Sequence, residues 1–122
     1  MIVRSETWLG READHQCVVR DTNEARERVE VERDALVGLH ELHCECGDPA
    51  CLSLLLISHD DYEAVREWGS HFLISVNHEN PTSAFVIAER QGFAVIDVVL
   101  ATSRRIVLVG NPRHDWIDGR DA

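Results

Sequence analysis

Apolar positions fall in short clusters along this chain, and their spacing changes character several times. From position 22 onward Ala25, Val29, Leu36 and Leu39 recur at helical spacing, broken by Glu32. Glu24 and Arg28, and Arg26 and Glu30, stand four apart, which suits an exposed helix face. The spacing predicts a helix over 23–38, with Thr22 as N-cap. Residues 1–20 show no clean period and read as a loosely ordered or strand-like lead-in. The run 52–57 is continuously apolar apart from Ser53 and reads as a strand. Ser58 then suits an N-cap for a short helix over 59–68, with Asp60 and Asp61 in its positive first turn and Gly69 ending it. A strand over 71–76, a polar turn over 77–81 and a hairpin of 84–88 with 93–99 follow. A last strand is expected over 106–109. The sum is an α+β fold: an N-terminal helix, a cysteine turn, a short helix and a small antiparallel sheet. A single domain is expected over 21–110, with a lead-in at 1–20 and a polar tail at 111–122.

The chain has 122 residues, of which 44% are hydrophobic and 28% charged, so it can bury one modest core. Twelve Lys+Arg, all of them Arg, face 22 Asp+Glu, a formal charge of −10. Affinity for nucleic acid comes mostly from cations that neutralise phosphates, so this balance argues against a polyanion or an anionic membrane. The pair Arg104-Arg105 is isolated, and Trp8, Trp68 and Trp116 are too dispersed to form a base-stacking platform. The first ten residues hold no apolar run of a secretory signal, and no apolar stretch approaches the roughly 20 residues that span a bilayer. A cytoplasmic, reducing location is the expectation, with a protein partner rather than nucleic acid or membrane.

That location changes the reading of the cysteines at 17, 44, 46 and 51, because in the cytosol clustered thiols point to metal or redox chemistry before disulfides. Cys44-x-Cys46-x4-Cys51 is the strongest motif in the chain. Gly47 permits unusual backbone angles, and Gly47-Asp48-Pro49 makes a tight turn that returns Cys51 toward the first pair. Zinc favours tetrahedral sulfur and nitrogen donors, and a structural site has all four positions filled by protein. For the fourth position the residue types leave His40, His43, His78 and Cys17 open.

The stretch His43-Cys44-Glu45-Cys46-Gly47-Asp48-Pro49-Ala50-Cys51, with Tyr62-Glu63-Ala64-Val65-Arg66, His71-Phe72 and Asn77-His78-Glu79, resembles a group of small uncharacterised actinobacterial proteins. Their pattern is Cys-Glu-Cys-x4-Cys, a strand, Tyr-Glu-x-Val-Arg, an Arg-Phe strand and Gly-His-Glu. The likeness spans about residues 23–99. It implies a structural zinc site made by Cys44, Cys46, Cys51 and His78, and it implies no activity. Here Asn77 replaces the group's Gly, His71 its Arg, and His43 an aromatic residue.

Other chemistries fit less well. The cysteine spacing also resembles the zinc motif after SET methyltransferase domains, but there Asn-His precedes the cysteines, and this chain is too short for that catalytic domain. A hydrolytic zinc site would leave one position to water, with Glu79 as a base. Three thiolates make zinc a poor Lewis acid, and Glu79 reads instead as a solvated turn carboxylate. Cys17 and His15 lack any accompanying oxyanion-stabilising motif. The expectation is a non-enzymatic zinc-binding domain with a structural metal, acting as a protein-interaction or regulatory module. Its alternative is a thiol-based redox sensor that releases zinc on oxidation, with Cys17 pairing to one of the metal cysteines.

Overall fold

The structure, a computed structural model, describes residues 7–33 and 38–113. Its elements are α1 (Trp8–Glu32), β1 (Leu39–His43), β2 (Leu54–Ser58), α2 (His59–Arg66), β3 (His71–Ile74), β4 (Ala84–Arg90), β5 (Phe93–Val98) and α3 (Ala101–Val109). The fold is α+β, as the pattern predicts.

The first helix begins fifteen residues earlier than its apolar stripe suggests, so 8–20 is helix and not a lead-in. Thr7 caps it, its hydroxyl accepting from the Gly10 amide at 3.0 Å, while Thr22 lies mid-helix and donates to the Val18 carbonyl. Arg33 closes it, whereas the sequence extended it to 38. The reason lies in which face is buried. Glu12, Gln16, Arg20, Asn23 and Glu27 point inward with Ala13, and Trp8, Val18, Val29 and Val31 are exposed. A hydrophobic-period search reads such a helix inside out. Leu36 lies outside the described residues, as do Trp116 and the rest of the tail beyond Arg113.

β1 and β2 form an antiparallel ribbon, pairing His40 with Ile57 and Leu42 with Leu55 on its buried face. The sequence reading ended the helix at 38 and counted Leu39 in its apolar stripe, so this strand was unforeseen. The second sheet has the order β3-β5-β4, all antiparallel. Its central strand β5 is buried on both faces. One face meets Ala13 of α1 and Val107 of α3, while the other packs Leu73, Phe93 and Val95 against the ribbon and against Tyr62 and Val65 of α2. α3 stands where a strand was expected over 106–109. Ser103 and Val107, one turn apart, face inward, and a short apolar run does not by itself distinguish helix from strand. Trp68 is 41% exposed, at the edge of the core and not within it. Among the described residues, no helix is long and apolar enough to cross a membrane.

Candidate metal centre

Two loops make the site. The β1–β2 connection carries Cys44, Cys46 and Cys51, and the β3–β4 connection carries His78. The cysteine loop therefore leaves a strand, not the end of the first helix. It runs beside β3, with the Glu45 amide donating to the Leu73 carbonyl at 2.8 Å and the Cys44 amide donating to the Ser53 carbonyl at 3.1 Å. Side chains alternate along this stretch, so Cys44 and Cys46 share one side while Glu45 points to the other.

Gly47 then turns the chain at φ +89°, in the left-handed region. A side chain there would also collide with Glu12, because α1 lies directly against the loop. Asp48 makes the return: its carboxylate accepts from the Ala50 amide at 2.9 Å and its carbonyl from the Cys51 amide at 3.0 Å. In the second loop Asn77 takes φ +71°, a left-handed conformation that Asn tolerates better than most non-glycine residues. The His78 amide closes that turn onto the Ser75 carbonyl at 3.0 Å.

The ligand atoms of Cys44, Cys46, Cys51 and His78 all lie within 4.8 Å of one another, positioned to bind a metal ion. His78 Nδ1 stands 3.6 Å from both Cys44 Sγ and Cys51 Sγ. Cys44 and Cys46 are buried, Cys51 is half-buried and His78 is exposed, so the cluster is closed at the back and open at the rim. A hydrogen bond from the Cys46 thiol, helped by the Ser75 amide at 3.2 Å, outweighs burial and draws the Cys44 thiol down to about 5. The same bond, with burial, pushes Cys46 up. Cys44 and Cys46 thus share a proton as an acidic and a less acidic thiol, and a metal ion would displace the thiol protons it replaces.

No family model, curated protein or solved structure matches this chain. The chemistry of the site rests on its residues alone.

The other candidate ligands stand elsewhere. His40 is buried with its Nδ1 2.8 and 3.0 Å from the two Glu27 oxygens, and His59 reaches the same carboxylate at 2.7 Å. His43 faces outward on β1, its backbone held at both ends by the Asn23 amide group. Cys17 lies against α3, 3.8 Å from the Ile106 carbonyl and 3.6 Å from Arg20 Nη2. Glu79, expected as a solvated turn carboxylate, is half-buried, with its Oε1 shielded and without a hydrogen-bond partner among the described residues.

The supporting residues are the ones the sequence did not single out. Glu45, fully buried between the two cysteines, accepts from Arg66 Nη2 at 2.6 Å, Asn23 Nδ2 at 2.8 Å and the Leu73 amide at 3.0 Å. Burial opposes the Arg66 charge, but Glu45 more than offsets this and holds the guanidinium above its usual range. From α1, Gln16 donates to the Glu45 carbonyl at 3.3 Å, and Glu12 accepts from Asn80 at 3.1 Å and Ser83 at 2.9 Å beyond His78. Both metal loops are therefore tied to α1. Polar residues at 12, 16, 20, 23 and 27, spaced like one helix face, were the available signal.

Proposed function

We propose that Cys44, Cys46, Cys51 and His78 hold a structural zinc ion, and that the domain it pins together is a non-enzymatic module that binds another protein. The observation that carries the metal reading is the complete four-residue donor set. Zinc bonds of about 2.3 Å to sulfur and 2.0–2.1 Å to nitrogen in a tetrahedron separate S and N by roughly 3.6 Å. The two S···N distances of 3.6 Å agree with that edge. Soft thiolate donors favour zinc over magnesium or calcium. With four protein ligands no position remains for water, which supports a scaffold over a hydrolase. The partner reading rests on the acidic charge of −10, and a reducing cytoplasm, where clustered thiols stay free to bind metal, is the location it assumes. The motif resemblance to the actinobacterial group supports the same four ligands.

Redox sensing is the competing reading, favoured by the open rim at Cys51 and His78, where an oxidant has access. Native mass spectrometry of the wild type and of His78→Ala, before and after mild peroxide, separates the two. One zinc per chain, weakened in the variant and retained under peroxide, is the expected result. Zinc that leaves under peroxide and returns on reduction would replace the scaffold with the sensor. No zinc at all would remove both. Turnover of a substrate by the zinc-loaded protein would overturn the non-enzymatic reading.

A further inference from the structure

Beside the metal centre the surface opens into a cleft of about 520 Å³, a size within the range of roughly 300–1,000 Å³ that ligand pockets occupy. It lies between the first turn of α1 and the two metal loops. Cys46 and Pro49 come from one loop, His78 and Pro81 from the other. Trp8, the first residue of α1, lines it and is 59% exposed. The indole and the two proline rings give the cleft apolar walls.

Its charges are mostly of one sign. Glu12, Asp48 and Glu79 line it, and Arg11 is the one permanent cation among the described lining residues. Glu12 accepts from Asn80 and Ser83, and Asp48 from the Ala50 amide, all of them neutral donors that leave the negative charge in place. Glu79 is half-buried, and its Oε1 has no hydrogen-bond partner among the described residues. Three carboxylates against one guanidinium leave the lining negative. With zinc bound, the adjoining centre adds to this, since three thiolates and an imidazole around a divalent ion are formally anionic.

These walls select an occupant. A purely apolar group would desolvate the carboxylates without compensating them, and an anion would be repelled. A cationic side chain suits both surfaces: its charge faces the carboxylates while its face or stem packs on the indole. Guanidinium fits better than ammonium, because it is planar, weakly hydrated, stacks on aromatic rings and forks a carboxylate. The chain's charge of −10 draws a basic partner toward the cleft. We propose that this cleft is where the partner protein docks, taking one of its arginine side chains between the Trp8 ring and the carboxylates of Glu79 and Asp48. The inference rests on the protein-binding reading above and names that partner's chemistry. Because both metal loops wall the cleft, the ion that pins the loops also sets the shape of the docking site.

The test is a chemical-shift titration of the zinc-loaded, nitrogen-15-labelled chain with a capped glycine–arginine–glycine tripeptide, its citrulline isostere and its glutamate counterpart. The expected result is a saturable shift of the Trp8 indole N–H and of the loop amides, with a Kd of about 1–10 mM for a single side chain. The citrulline peptide, which keeps the shape and loses the charge, should bind at least tenfold more weakly. Trp8→Leu and Glu79→Gln should each weaken the arginine peptide severalfold, and Trp8→Leu, at an exposed position, should keep zinc and fold. No saturable shift by the arginine peptide at about 20 mM would overturn the proposal. So would citrulline binding as tightly as arginine, an undiminished Trp8→Leu, or preference for the glutamate peptide. Native mass spectrometry of the same samples separates the failures. A zinc-loaded chain that ignores the arginine peptide sinks the cleft alone, whereas absence of zinc or turnover of a substrate sinks the reading on which it rests.

Discussion

Glu45 offers the sharpest test of how the centre is held. Glu45→Gln keeps the shape of the side chain but removes the charge that faces Arg66, whose own side chain is 2% exposed. The guanidinium then stays buried against Tyr62 and Phe72 with no carboxylate, and whichever oxygen becomes the amide nitrogen meets donors, Asn23 and Arg66 at Oε2 or Leu73 and Arg66 at Oε1. Removing one partner of a buried pair costs about 3–5 kcal/mol, because the remaining charge is uncompensated. For a chain of this size that lowers Tm by roughly 10–20 °C. Urea and thermal unfolding of the zinc-loaded protein measure the loss. Adding Arg66→Met should cost much less than the sum of the two single changes, with a coupling of about 1–3 kcal/mol. A Glu45→Gln protein within about 1 kcal/mol of wild type, or additive single changes, would refute the idea that this pair braces the cysteine loop.

Three further outcomes follow from particular positions. Gly47→Ala places a side chain at φ +89° and against Glu12, so it should cost about 1–3 kcal/mol and weaken metal retention against a competing chelator; unchanged retention would contradict the loop geometry. Cys46→Ala should unfold the domain or leave it molten by near-UV circular dichroism, since zinc contributes roughly 10 kcal/mol or more to small metal folds, and a well-folded metal-free variant would remove the structural role. Glu24 is pushed up by burial, but bonds from Arg113 and Tyr62 win and hold it below its usual 4.5. Its contribution is therefore present above about pH 4.5 and is lost as pH falls through the lower folded value. In urea titrations Glu24→Gln should lack that part of the acid-side slope, and a slope equal to wild type would count against the Arg113 clamp.

How much of this was legible depended on what each segment buries. α2, with Ser58 as cap, and the strands β3 and β5 bury apolar residues, so ordinary periodicity located them, while the largely exposed β4 was legible as the hairpin partner of β5. Cys44, Cys46 and Cys51 were legible from spacing, whereas His78 could be set above His40 and His43 only by resemblance. The physical reason His40 is excluded, its bond to Glu27, joins residues thirteen apart across two elements. The first half of α1 was illegible because its inward face is carboxylates, amides and one arginine. Arg20 shows why that face is tolerated: it donates to the Gly69 carbonyl at 2.8 Å and the Val107 carbonyl at 2.9 Å, partners supplied by distant chain. β1 failed for a related reason, since its inward residues are His40 and Leu42 while Leu39 faces out.

The uneven burial of the four ligands gives the centre a direction. Cys44 and Cys46 sit at the back, fixed by the loop that Glu45 anchors, while Cys51 and His78 form the front. An ion in such a shell has one door. A chelator would reach an ion held there from the side of His78 and Cys51, the two donors that face solvent, while Cys44 and Cys46 are the ones shielded by the fold. The rate of zinc transfer should then rise with chelator concentration rather than level off at a spontaneous dissociation rate.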